Sequence, residues 1–190
     1  MTSLEILAFG LGLANVTLVV LRSIWNYVFG LAMVALYAVI FVHTKLYSDA
    51  LLQVFFFVVQ IYGWWNWARV KAETGEIAVG TLPGRERLLW LAAAAVGSTG
   101  WGYAMFRFTD ASFPWLDATL AIVSVVAQIL QSRRKLESWW LWIAVDIGSV
   151  ALYAAKGLKL TMLLYTIFLA LAIWGLIDWR RVARRTAVVA

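Results

Sequence analysis

The chain has 190 residues, of which 64% are hydrophobic and 14% charged, with a mean hydropathy of +0.83. Soluble domains average about 45–50% apolar and about 25% charged, so the composition points to a bilayer and excludes an ordinary water-soluble globule. The absence of Cys and the single His (His43) rule out disulfides and thiolate sites and argue against a conventional metal centre. The net charge of +6 is spread in short clusters between apolar runs, which fits membrane topology rather than nucleic acid.

A spanning helix needs about 20 mostly apolar residues. Seven such runs are predicted, at roughly 4–21, 25–43, 47–68, 87–106, 115–131, 139–155 and 160–178. The first lacks a basic leader and a small-residue cleavage site and carries Glu5, so it reads as a retained helix and not a signal peptide. Both prolines, Pro83 and Pro114, fall between runs. The long connection, about 69–86, is polar and turn-rich and reads as a linker. Twelve Lys and Arg collect on the side of Arg22, Arg69, Arg134 and Arg180, against four (Lys45, Arg107, Lys156, Lys159) on the other. The positive-inside rule then predicts an outside amino terminus and a cytoplasmic carboxyl terminus.

Self-comparison shows two ordered matches. VALYA at 34–38 recurs at 150–154, and Ile61-Tyr62-Gly63-Trp64-Trp65-Asn66-Trp67 matches Ile173-Trp174-Gly175-Leu176-Ile177-Asp178-Trp179, at offsets of 116 and 112. Helices 2 and 3 thus correspond to 6 and 7, with four residues lost from the second copy's loop. Three spans per unit reverse direction, and the single helix 4 restores it. The prediction is an all-α integral membrane protein of seven helices in a 3+1+3 parallel repeat, with a site between the halves. The units are 1–68 and 107–179, joined by the linker 69–86 and helix 4 (87–106), with a basic tail at 180–190.

Polar residues within spans are functional hypotheses by default. On helix 6, Trp139, Trp142 and Asp146 share one face at i, i+3 and i+7. Asp146 reads either as an interhelical hydrogen-bond or ion-pair partner, or as an anchor for ligand hydroxyls or a cation. Gln53, Gln60, Trp64 and Trp67 form a stripe on helix 3, and Asp117, Ser124, Gln128 and Gln131 form another on helix 5. Such amides can be glue between helices, worth about 0.6 kcal/mol each, but three polar-aromatic stripes around one axis are better explained by a wet pocket. Titratable relays are scarce, which favours passive movement over an ion-driven pump. No nucleophile–base constellation is visible, so an enzyme is not expected. At the end of helix 3, Trp65 and Trp67 read as interfacial belt residues and Gly63 as a close helix contact.

The Trp139-x-x-Trp142-x-x-x-Asp146 motif, with Lys135-Leu136-Glu137-Ser138 before it, resembles the signature of the PnuC family of vitamin transporters. So do Tyr47-Ser48-Asp49-Ala50-Leu51-Leu52-Gln53 running into Ile61-Tyr62-Gly63-Trp64, the pair Trp25-Asn26, and Pro114-x-x-Asp117 with Gln128. The resemblance covers about residues 20–180. It implies a SWEET-like bundle of the bacterial inner membrane that imports a vitamin by facilitated diffusion, with cytoplasmic phosphorylation of the product sustaining the gradient. Nicotinamide riboside is the expected vitamin; thiamine or riboflavin is the alternative within the family, and a SWEET-like sugar carrier the alternative outside it. Trp139 and Trp142 would flank a flat ring, with Asp146, Gln60 and Gln128 on its polar groups and Trp64, Gln53, Asn26 and Asp117 completing the site. The chain departs from expectation at Trp140 and Leu141, where nicotinamide riboside carriers are expected to carry an Asn. The expected partners are the vitamin, membrane lipid and a kinase acting on the product. No cofactor and no nucleic acid are expected, and homo-oligomerisation stays open.

Overall fold

The structure is a computed structural model that describes residues 3–43, 47–109, 112–157 and 159–189. Lys45, and the side chains of Tyr47, Ser48, Asp49 and Leu51 from the motif above, lie outside the described residues. Among the described residues there are seven helices: α1 (Ser3–Val20), α2 (Asn26–His43), α3 (Tyr47–Thr74), α4 (Gly84–Phe108), α5 (Pro114–Ser132), α6 (Glu137–Ala155) and α7 (Lys159–Val189). They follow the seven predicted runs. Four of them, α2, α5, α6 and the Thr161–Arg185 part of α7, are long and apolar enough to cross a membrane, and α1 adds a shorter apolar stretch, Ile6–Val20. Helix starts follow local chemistry: Pro114 opens α5, where its missing N–H costs nothing, and Glu137 sits in the first turn of α6.

Six helices close into a ring in the order α1, α2, α3, α5, α6, α7, with α7 returning to α1. Helix α4 stands outside, packs on α5 and reaches α6 through the Arg87–Glu137 pair, turning Leu88, Val96 and Phe108 outward. The halves meet at two interfaces, α1 with α7 and α3 with α5, so the third helix of each unit packs on the first helix of the other. That is an approximate two-fold relation between parallel units.

Side-chain contacts repeat under the same relation. Tyr27 meets Trp67 edge-on at 5.4 Å and Trp139 meets Trp179 edge-on at 5.5 Å. Trp67 donates to Gln131 O at 3.3 Å, and Trp179 to Val19 O and Val20 O at 3.3 and 3.2 Å. A Cβ on Gly63 would come within 2.6 Å of Tyr27 Oη, and one on Gly175 within 2.5 Å of Trp139 Cη2; both glycines are points of close helix approach, as expected. Helices α1 and α5 end in the same Schellman motif: Ser23 N–H bonds Leu18 O (2.8 Å) and Lys135 N–H bonds Leu130 O (2.9 Å). The left-handed residue in each is an arginine, Arg22 (φ 53°) and Arg134 (φ 57°). A left-handed conformation costs a side-chain-bearing residue about 1–2 kcal/mol, and each guanidinium finds partners that offset it: Arg22 on Asp178, Arg134 on Asn66 O and Ala78 O, both at 3.2 Å.

Every one of these pairs is 112 positions apart. The offset of 116 predicted for helices 2 and 6 is therefore corrected: VALYA at 150–154 matches one helical turn out of register, and no four residues have been lost from the loop. Apolar residues one turn apart share a face, which is why the false match looked real. The belt reading of Trp67 is also corrected. Trp67 and Trp179 are both 0% exposed and touch at 5.9 Å on the axis between the halves. Trp65, 57% exposed beneath the guanidinium of Arg69, lies on the outside.

The connection differs from the predicted linker. Helix α3 runs to Thr74 and α4 begins at Gly84, leaving residues 75–83, and the polar sequence hides three buried apolar side chains, Ile77, Val79 and Leu82. Gly80 pairs with the α5–α6 turn, donating to Arg134 O (3.1 Å) and accepting from Leu136 N (2.9 Å). Glu137 accepts from Leu82 N (3.0 Å) and pairs with Arg87 (2.9 Å). The segment is thus a strap fixed across one end of the ring.

Candidate functional site

The ring encloses a cavity of about 570 Å³, within the usual range for small-molecule sites. All six ring helices line it and α4 does not. One end is floored by the aromatic group around the axis, in which Trp67, Trp139 and Trp179 are the largest fully buried side chains.

Six of the predicted residues line the cavity: Trp139, Trp142 and Asp146 from α6, Gln53 and Gln60 from α3, and Gln128 from α5. Trp139 is 1% exposed, wedged between Gly175 and the edge of Trp179, and its buried Nε1 has no protein hydrogen-bond partner. Trp142, half-buried, donates its indole N–H to the side-chain oxygen of Gln131. Helix α5 thereby fixes the plane of the indole that faces the cavity. Asp146 is 4% exposed. Among the described residues of the lining it is the one charged group, and none of them is Lys or Arg. Such a carboxylate favours a cation and disfavours an anion.

Three predicted residues lie elsewhere, and each is a correction. Trp64 is 40% exposed on the outer face of α3 and does not line the cavity. Asp117, in the first turn of α5, pairs with Lys156 at 3.6 Å, both about one-third exposed, at the opposite end of the ring from the aromatic floor. Asn26 is buried at the start of α2, where its amide donates to Ser23 O at 2.6 Å and caps the α1–α2 turn; it lines a small neighbouring cavity only. Equal spacing on a stripe did not distinguish these positions, because a small rotation of the helix moves a stripe's end out of the lumen.

Sequence reasoning passed over Asn15 on α1 and the aromatic wall built by Tyr37, Phe56, Tyr153, Tyr165 and Phe168. Tyr153 and Tyr165 stack at 5.3 Å, and Phe168 closes edge-on at 6.0 Å. The signal was present: Thr161, Tyr165, Phe168 and Ala172 recur at i, i+4, i+7 and i+11 along α7.

The two halves of the wall are unlike. Gly30 corresponds to Trp142, Gln60 to Ala172, Asn15 to Ala127 and Val34 to Asp146. A Cβ on Gly30 would come within 3.0 Å of Gln60 Cδ and 2.6 Å of Asn15 Nδ2, so its absence makes room for the amides. The first half therefore offers the amides of Asn15, Gln53 and Gln60, while the second adds an indole and a carboxylate to its own amides, Gln128 and Gln131. Such a cavity can stack a flat ring on one side and hydrogen-bond polar groups on the other.

The family model for the nicotinamide mononucleotide transporter matches residues 2–181. The nicotinamide riboside transporter PnuC of Escherichia coli is 32% identical over 91% of this chain and 83% of its own length. The riboflavin/roseoflavin transporter RibM of Streptomyces davaonensis is 34% identical over 92% and 83%. The crystal structure of the vitamin B3 transporter PnuC superimposes with a TM-score of 0.78 at 32% identity, covering 96% of this chain and 82% of that one. With the ring and its cavity in agreement, these matches establish that the chain belongs to the nicotinamide mononucleotide transporter family, as a multi-pass membrane transporter and not an enzyme.

Proposed function

We propose that the protein moves nicotinamide riboside, or a closely related vitamin, through the ring by facilitated diffusion. The observation that carries this is the lining: one buried carboxylate, Asp146, beside an oriented indole and among side-chain amides, with no basic residue among the described ones. A pyridinium ring matches the first pair, since an indole face attracts a desolvated cation by up to about 2 kcal/mol, and a ribose and carboxamide match the amides. The described lining offers a phosphate no Lys or Arg, which favours a riboside over a mononucleotide. Neutral amides and a few aromatic contacts suit micromolar binding, roughly −8 kcal/mol, weak enough for release.

The proposal extends to setting. The end where α3 and α7 finish, rich in arginine, faces the cytoplasm of a bacterial inner membrane, with the amino terminus outside. The 75–83 strap and the basic end of α7 lie on that side, and phosphorylation of the arriving vitamin by a kinase sustains the gradient. Uptake of labelled nicotinamide riboside into proteoliposomes tests the reading. Saturable flux without an ion gradient is expected. Asp146→Asn should weaken nicotinamide riboside at least tenfold, about 1.4 kcal/mol, while sparing an uncharged isostere; equal losses would sink the cation-balancing role. Riboflavin is the second reading, favoured by the 34% identity to RibM. It is neutral, so Asp146→Asn should leave its uptake nearly unchanged.

A further inference from the structure

Between the large cavity and Trp67 lies a second cavity of about 20 Å³. One water needs about 10–15 Å³ of such volume, so this space holds a single small ligand. Its wall is mostly polar, with Asn15, Asn26, Gln60, Gln128, Gln131 and Ser132, and is completed by Val19, Tyr27 and Trp67. Asn15, Gln60, Gln128 and Gln131 line both cavities and form the partition between them.

Three of these amides are held in known orientation by partners that can only accept or only donate. Asn15 Nδ2 donates to Asn26 O at 2.8 Å, so its Oδ1 is left as an acceptor. Asn26 Nδ2 donates to Ser23 O, leaving Oδ1 likewise. The Gln131 side-chain oxygen accepts from the indole of Trp142, which can only donate, leaving Gln131 Nε2 as a donor. Ser132 Oγ donates to Ile129 O at 2.7 Å and keeps a lone pair. The cage thus presents fixed acceptors and a fixed donor within one small volume.

That mixture selects the ligand. A bare monovalent cation needs oxygen on all sides and is repelled by the Gln131 amide hydrogens. The carbonyls at the end of α5, which could have served one, are already occupied: Gln131 O by Trp67 and Ser132 O by Asn66 at 2.9 Å. A water molecule donates to the two asparagine oxygens and accepts from Gln131. We infer that this cavity is a binding site for one ordered water, built into the floor of the transport cavity behind Gln60 and Gln128. The water completes the hydrogen bonding of buried amides, each otherwise costly by about 1–3 kcal/mol.

The test is an experimental structure of the full chain at a resolution that shows waters, paired with thermal unfolding in sodium chloride and in choline chloride. The expected result is one isolated peak at about 2.7–3.0 Å from Asn15 Oδ1, Asn26 Oδ1 and Gln131 Nε2, with unfolding temperatures equal in the two salts. Featureless density in the cavity would overturn the assignment. So would a peak at metal–oxygen distances with Gln131 turned oxygen-inward, or a sodium-specific rise in unfolding temperature. Neither measurement depends on which vitamin is carried.

Discussion

Gly175→Ala tests the packing of the aromatic floor directly. The new Cβ would sit 2.5 Å from Trp139 Cη2 and Cζ2 and 2.6 Å from Cε2, whereas carbon pairs rest at about 3.5–4.0 Å. The indole must therefore retreat by about 1 Å. It already meets Trp179 edge-to-face, so the free direction is toward the cavity. Overpacking of this kind costs about 1–3 kcal/mol, or roughly 2–12 °C in unfolding temperature for a chain of this size. Gly63→Ala meets Tyr27 Oη and Cε1 at 2.6 and 2.8 Å and should cost a similar amount. Gly100→Ala, on α4 with nothing within 4 Å, should instead gain up to about 1 kcal/mol from helix propensity. Thermal unfolding in detergent reads all three. The sign difference is the point: a Gly175→Ala protein as stable as Gly100→Ala would refute the wedged position of Trp139.

Further outcomes follow from the site geometry. Trp142→Phe removes the bond to Gln131 and should weaken substrate binding by up to about tenfold, whereas Trp64→Phe, outside the cavity, should leave affinity unchanged in the same titration. Lys156→Gln breaks a partly exposed pair and should cost under about 1 kcal/mol of stability, with transport unaltered in a flux assay. Asp178→Asn copies its counterpart Asn66. With the Arg22 and Asp178 side chains 25% and 31% exposed, it should lose less than about 1 kcal/mol, whereas a loss of several kcal/mol on unfolding would show that the α1–α7 clasp carries the fold.

The helices and their parallel pairing were legible because long apolar runs and an odd number of spans per unit leave few arrangements. The register was not. VALYA repeats an apolar pattern that is indifferent to a one-turn shift, while the true register is set where chemistry is singular: Arg22 with Arg134, Tyr27 with Trp139, Gly63 with Gly175. Trp67 was misread because a tryptophan at the end of a span can face lipid or core, and depth alone does not decide. The decisive sign was local, since Gly63 lies one turn before Trp67 on the same face and a close-contact glycine draws that face inward. In the site, Trp142, Asp146, Gln60 and Gln128 were readable as polar groups on apolar helices. Asn15 escaped because α1 offers one amide and no stripe, and Asn26 misled because a turn-capping side chain has the same formula as a ligand-binding one.

The constant spacing of 112 residues bears on what kind of ligand the ring can hold. A dimer of identical three-helix subunits would repeat every wall residue across the axis, so an indole would face an indole and an amide an amide. Its ideal guest would share that symmetry. Covalent joining through α4 removes the obligation, and the copies differ at single positions: Gly30 is small where Trp142 is large, and Gln60 carries an amide where Ala172 leaves space. The repeat supplies the frame, and the differences inside it make the container lopsided, a shape suited to a molecule with two different ends.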